Sequence, residues 1–195
     1  MTDYIISNWI EILGVITGII YLYQEVKASI YMWITGIIMP VISLFVYYEA
    51  GLYADFGINI YYCLASIYGI FAWKYGKKEG AEEKELPISH TPAKVYWKLA
   101  TSFIACFIGI ALILKLCTDS TVPWWNSFTT ALSIIGMWML ARKWIEQWWV
   151  WLVVDIASIA LYAHQGIFLY AALYGLYTLI AIYGYCKWKK IMQKQ

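Results

Sequence analysis

Charge is scarce in this chain of 195 residues: Asp, Glu, Lys and Arg together make up 13%. A soluble globular domain carries nearer a quarter. The formal net charge of +2 is too small to suggest a nucleic-acid partner. Histidine is nearly absent. His90 and His164 stand far apart and offer no metal-ligand spacing, so neither a metal nor another cofactor is expected. The four cysteines, Cys63, Cys106, Cys117 and Cys186, form no CxxC pair and read as free thiols packed as small hydrophobes. No GxSxG occurs, and only one carboxylate, Asp155, lies clearly at the middle of an apolar run, which excludes a two-carboxylate intramembrane protease. No lysine falls inside the last apolar run before Lys187, which argues against a retinal-binding protein. An enzyme is therefore not expected.

What is abundant is apolar and aromatic. Hydrophobic residues make up 63% and aromatic residues 19%, with 12 Trp and 18 Tyr. Runs of roughly 20 apolar residues, enough to cross about 30 Å of hydrocarbon, recur along the chain. Seven are read: 5–24, 30–49, 54–73, 96–116, 123–142, 147–164 and 168–187. They are too long for membrane β-strands and lack period-2 alternation. The expected fold is an all-α membrane protein of seven transmembrane helices. No cleavable leader is read ahead of the first span.

The basic residues set an expected orientation. Lys115 is the one basic residue on the side holding the N-terminus and the loops after spans 2, 4 and 6. The remaining lysines and Arg142 lie on the other side, which the positive-inside rule places in the cytoplasm together with the C-terminus. Trp124 and Trp125, and Trp144, Trp148 and Trp149, are then expected in the interfacial belts.

The chain also repeats itself. Residues 9–74 laid on 124–189, an offset of 115, agree without a gap at fifteen positions, among them Trp33/Trp148, Ser43/Ser158, Tyr47/Tyr162, Tyr62/Tyr177, Gly69/Gly184 and Trp73/Trp188. Two three-helix units in tandem would face opposite ways, and span 4 restores the direction. The expectation is a 3+1+3 arrangement of parallel repeats. It divides into a first repeat at 1–74, a cytoplasmic linker at 75–95, a linking helix at 96–117, a second repeat at 118–189 and a tail at 190–195. The linker's mixed charges and two prolines read as a solvated loop. Two equivalent halves commonly hold a substrate near the midplane and expose it alternately.

Asp155 sits about 12 Å into span 6 at 1.5 Å per residue. A charge there costs about 2.5–3.5 kcal/mol on insertion scales and so faces a bundle interior or cavity. Its counterpart at the offset is Pro40. Asn59 early in span 3 and Asn126 early in span 5 are the next polar candidates, with helix bridging as the alternative for each. Tyr62, Tyr68, Trp138, Tyr162, Tyr174 and Tyr177 are read as lying deep, where a hydroxyl or indole N–H needs a partner. An aromatic interior with one carboxylate suits a flat, cationic ligand.

The stretches "NWIEILGVITGIIYLY", "KASIYMWITGIIMP", "LYADFGINIYYCLASIYGIFAW" and "WWNSFTTALSIIGMWMLARKWIEQWWVWLVVDIASIALY" resemble the nicotinamide riboside transporter (Pnu, PnuC) family over nearly the whole chain. The resemblance implies a bacterial inner-membrane protein with the fold of the sugar-carrying SWEETs. It implies a facilitator whose vitamin is trapped by a cytoplasmic kinase without required contact. It also implies one central aromatic-walled site, and places Asn59, Tyr62, Asn126, Asp155, Tyr162 and Tyr174 there as substrate-binding residues. "DFGINIYYCLASIYG" on span 3 is more similar to the thiamine-carrying branch (PnuT), so thiamine leads and nicotinamide riboside is the alternative. A SWEET-like sugar carrier and a non-transporting membrane receptor are remoter readings. The expected partners are the vitamin and the lipid bilayer; a homo-oligomer is compatible with the sequence.

Overall fold

The computed structural model describes residues 9–49, 53–79, 82–118 and 122–195. Among them are seven long helices, all near the expected spans: α1 (Trp9–Val26), α2 (Tyr31–Glu49), α3 (Tyr53–Tyr75), α4 (Tyr96–Cys117), α5 (Pro123–Ala141), α6 (Gln147–His164) and α7 (Phe168–Met192). Three of the described helical stretches, Phe56–Tyr75, Ala93–Cys117 and Phe168–Met192, are long and apolar enough by themselves to cross a membrane. Large apolar side chains such as Leu116, Phe45, Phe168 and Leu169 are exposed, the last at 81%. In water that surface would be a liability; in hydrocarbon it costs nothing.

The chain divides into two compact units, Met1–Leu86 and Pro87–Gln195. In the first, α2 packs against both α1 and α3. In the second, α4 packs on α5, α5 on α6 and α6 on α7.

Both units contain the same joint, 115 positions apart. In the first, the ring of the fully buried Trp33 on α2 meets Trp73 on α3 edge to face, centroids 5.6 Å apart at 89°. In the second, Trp148 on α6 meets Trp188 on α7 at 5.7 Å and 90°. Each first tryptophan lies over a glycine: a Cβ at Gly69 would come within 2.4 Å of Trp33, and one at Gly184 within 2.4 Å of Trp148. The turns feeding these joints also agree. Ala28 (φ 52°) and Lys143 (φ 55°) are both in the left-handed region. Their amides donate to Glu25 and Leu140 carbonyls respectively, each at 2.9 Å. Neither residue is glycine, and such a conformation is costly for an L side chain, so it persists only where surrounding contacts fix it.

One pair of positions is inverted between the units. Gly36 on α2 faces the Tyr21 ring of α1, a built Cβ lying 3.0 Å from it. The equivalents are Trp151 on α6 and Gly136 on α5, and there the ring comes from the second helix and the glycine from the first, at 3.3 Å. The space is filled in both cases, by opposite partners.

The linker departs from the expectation of a solvated loop. Lys77–Glu79 and Glu82–Lys84 pair as a short antiparallel hairpin, and the Leu86 amide donates to the Trp73 carbonyl at 2.9 Å. Further on, residues 88–91 dock on the α5–α6 turn. The Ser89 amide donates to the Lys143 carbonyl (3.1 Å), and the Ile145 amide returns to the Ser89 carbonyl (3.0 Å). The Ile88 amide donates to Gln195 Oε1 at 2.9 Å. Glu146 clasps the strap: its Oε2 accepts from the Thr91 amide and hydroxyl, both at 2.8 Å, and its Oε1 lies 2.6 Å from His90 Nδ1. Partial burial pushes the Glu146 carboxyl up, but the hydrogen bonds from His90 and Thr91 outweigh it and hold the group below the ordinary glutamate value. Mixed charge in the sequence suggested solvent, whereas here backbone pairing with the α5–α6 turn and the Glu146 carboxylate anchor residues 88–91.

Candidate functional site

The two antiparallel seams, α2–α3 and α6–α7, carry most of the expected site residues. On α7 the positions 170, 174, 177, 181, 184 and 188 alternate four and three apart, which keeps them on one stripe of a helix. Gly184 and Trp188 belong to the joint described above, and Ala181 is buried. The N-terminal half of the stripe is entirely tyrosine. On α6, Trp148, Asp155 and Tyr162 are seven apart and so share a face.

Asp155 is buried, 6% exposed, between Val154 and Ile156 in the sequence of α6. It lies within electrostatic reach of Tyr174 and Tyr177 across the seam. Tyr162 stacks on Tyr174 with centroids 5.4 Å apart at 23°. It also meets Tyr170 at 5.3 Å and 34°. Tyr174 in turn meets Tyr177 at 5.6 Å and 72°. The structure thus brings together three of the expected residues, Asp155, Tyr162 and Tyr174, and adds Tyr177 and Tyr170. Tyr177 is among the residues read above as lying deep, and the four-three spacing on α7 is the signal that points to Tyr170.

Asn126 lies on the first turn of α5, half-buried. Its neighbour Trp125 donates its indole N–H to the Ala157 carbonyl at 3.0 Å. That bond places the start of α5 against the stretch of α6 between Asp155 and Tyr162. Thr129 and Ser133 hydrogen-bond back to carbonyls of their own helix, as short hydroxyl side chains do in apolar surroundings.

Asn59 and Tyr62 belong to the first unit, on the α3 stripe that continues through Ser66, Gly69 and Trp73. They are the offset equivalents of Tyr174 and Tyr177. Both are half-buried, and Tyr62 lies within electrostatic reach of Tyr21 on α1. Ser66 is buried to 1% and its hydroxyl lies 3.5 Å from a Cβ built at Gly36.

Several aromatic assignments change. Trp144 and Trp148, expected in a belt, are buried at 8% and 3%: Trp144 packs in a cluster with Ile135, Met139, Leu99 and Phe103, and Trp148 is enclosed by the Gly184 joint. Trp124, Trp125 and Trp149 are exposed as belt residues are. Tyr68 and Trp138, read as deep, are exposed; Arg142 sits over the Trp138 ring at 5.6 Å. Among the cysteines, Cys63 and Cys106 are half-buried whereas Cys117 and Cys186 are exposed, and all four are free thiols.

Apolar helices of membrane-crossing length mark a multi-pass membrane protein, and its family and named relatives are transporters, not enzymes. The chain belongs to the family described as nicotinamide mononucleotide transporter, whose profile matches residues 8–190. It is 25% identical over 203 residues to the nicotinamide riboside transporter PnuC of Escherichia coli, covering 93% of this chain and 85% of that one. It is 24% identical over 181 residues to the riboflavin/roseoflavin transporter RibM of Streptomyces davaonensis, covering 92% and 84%. A solved structure described as the vitamin B3 transporter PnuC superposes with a TM-score of 0.70 at 21% identity, over 96% of this chain and 83% of that chain. That likeness establishes the fold. The preference for thiamine drawn from span 3 gains no support from these relatives, whose names point to nicotinamide riboside and riboflavin.

Proposed function

We propose that this protein imports a flat, ring-bearing B vitamin across the bacterial inner membrane, with nicotinamide riboside as the first candidate and thiamine second. The observation that carries it is Asp155, a buried carboxylate set against stacked tyrosines in the second unit. A pyridinium ring gains from aromatic faces and from a carboxylate, and both kinds of group stand together here. Thiamine, also a heteroaromatic cation, satisfies the same electrostatics. The family's named members favour nicotinamide riboside. Asn59, Tyr62, Asn126, Asp155, Tyr162 and Tyr174 are the substrate-binding residues of this proposal.

Transport proceeds by alternating access of two parallel three-helix repeats joined by α4, without ion coupling, and a cytoplasmic kinase supplies the driving force by trapping the vitamin. The recurrence of the tryptophan–glycine joint and of the left-handed turn at an offset of 115 supports the repeat. The charge asymmetry supports an outside N-terminus and a cytoplasmic C-terminus. Purified protein in liposomes is expected to take up labelled nicotinamide riboside with no proton or sodium gradient, and a titration against thiamine and riboflavin ranks the substrates. A strict gradient requirement would rule out the facilitator mechanism, and tighter binding of thiamine would reverse the order of substrates.

A further inference from the structure

Tyrosines of α6 and α7 form a sequence of ring contacts with one exposed and three half-buried members. Tyr170, near the start of α7, is 51% exposed. Its ring contacts Tyr162 at 5.3 Å, Tyr162 contacts Tyr174 at 5.4 Å, and Tyr174 contacts Tyr177 at 5.6 Å. From Tyr170 to Tyr177 is about 10 Å along the helix axis. Every step is an aromatic pair within the ~4.5–7 Å centroid range of ring contact. The ladder therefore joins an exposed ring, at the end of the α6–α7 hairpin away from the lysine-rich tail, to the buried carboxylate of Asp155.

The spacing also restricts where a ligand can enter. A planar ring inserted between two others needs them about 7 Å apart, twice a van der Waals contact. Tyr162 and Tyr174 are nearly parallel at 5.4 Å and cannot admit one. A flat cation arriving at this conformation can stack on an exposed end ring, and Tyr170 is that ring. A tyrosine acting solely as a belt residue has no need to rest on a second tyrosine that itself rests on a third.

We propose that Tyr170 is an entry subsite on the transport path, which takes the heteroaromatic cation by ring stacking before Asp155 receives it. This rests on the vitamin reading above. Passage onward requires the Tyr162–Tyr174 stack to part, so the ladder also acts as a sieve for planar rings.

The test uses full-length protein in liposomes, with nicotinamide riboside and thiamine as probes, comparing the unaltered chain with Tyr170→Phe, Tyr170→Leu and Tyr170→Ala. Tyr170→Phe keeps the ring face and is expected to keep uptake. Tyr170→Leu and Tyr170→Ala are expected to lower uptake at sub-saturating vitamin about three- to tenfold, the range a partly exposed ring–cation contact is worth. The loss should fall on the association rate, with dissociation and saturating uptake within about twofold of the unaltered protein. Leucine fills similar volume without a ring, so a fault in packing alone would spare Tyr170→Leu and overturn the subsite. Unchanged association in Tyr170→Ala, with normal uptake by the unaltered chain, overturns the subsite while leaving the vitamin reading intact. Absence of uptake of either vitamin by the unaltered chain overturns both.

Discussion

Trp148 and Trp188 meet edge to face at 5.7 Å, and the Trp148 ring occupies the space where a Gly184 side chain would be. Trp33, Trp73 and Gly69 repeat the arrangement in the first unit. Adding one methyl group at either glycine forces a buried ring to move, a kind of overpacking that costs typically 1–3 kcal/mol. Gly69→Ala and Gly184→Ala should each lower the thermal unfolding midpoint in detergent. Gly136→Ala should do so less, because its Cβ would stand 3.3 Å from Trp151, against 2.4 Å at the other two sites. Equal shifts at all three positions would show that the rings adjust freely.

Asp155 pairs burial with position at the tyrosine seam. Asp155→Ala should reduce vitamin uptake by tenfold or more, with Asp155→Asn intermediate because it keeps hydrogen bonding but not charge. Far-ultraviolet circular dichroism should be unaltered in both. Unchanged uptake in Asp155→Ala would leave the aspartate a helix-to-helix contact.

Tyr162 touches rings on both sides. Tyr162→Phe preserves both stacks and should leave KM near that of the unaltered protein. Tyr162→Ala separates Tyr170 from Tyr174 and should raise KM several-fold, measured by liposome uptake over a concentration series. A loss in Tyr162→Phe equal to that in Tyr162→Ala would assign the work to the hydroxyl.

The Glu146 clasp predicts a pH response with a definite sign. Its folded-state carboxyl is held below the ordinary glutamate value, so its contribution is complete above the ordinary range and lost as pH falls through the folded value. Hydrogen exchange of residues 88–92, corrected for intrinsic rate, should therefore show protection at neutral pH that disappears in strong acid. Glu146→Gln should reduce that protection already at pH 7. Protection in Glu146→Gln equal to the unaltered chain would assign the docking to the Ser89 backbone pairing alone.

How far the sequence reveals this arrangement depends on the kind of interaction. The seven apolar spans are legible because length and composition alone decide membrane crossing, and the described helices follow them closely. Asp155 is legible for the same reason, as a charge in an apolar run. The α6–α7 seam is half legible: Tyr162 and Tyr174 are among the expected site residues, whereas Tyr170 is marked only by its spacing and gains its meaning from a ring contact with Tyr162 on another helix. Trp148 was misjudged because a tryptophan near a span end reads as interfacial, and only the closeness of Gly184 across the seam encloses it. The strap was illegible. Nothing in "KYGKKEGAEEKELPISHTPAK" marks which residues will meet Glu146, since that contact joins segments 55 residues apart.

The inverted pair at Tyr21/Gly36 and Gly136/Trp151 bears on how the chain assembles. Two similar three-helix segments in one polypeptide risk exchanging helices as they insert, a characteristic failure of repeat proteins. A hairpin made wrongly from α1 and α6 would set Tyr21 against Trp151, ring upon ring where there is room for one. The complementary error, α5 with α2, would set Gly136 against Gly36 and leave a void. Both mispairings are penalised while both correct pairings fill their space, so each helix carries a steric identity tag for its own partner. On the repeat reading proposed above, this one reversal of large and small keeps the two halves from being confused.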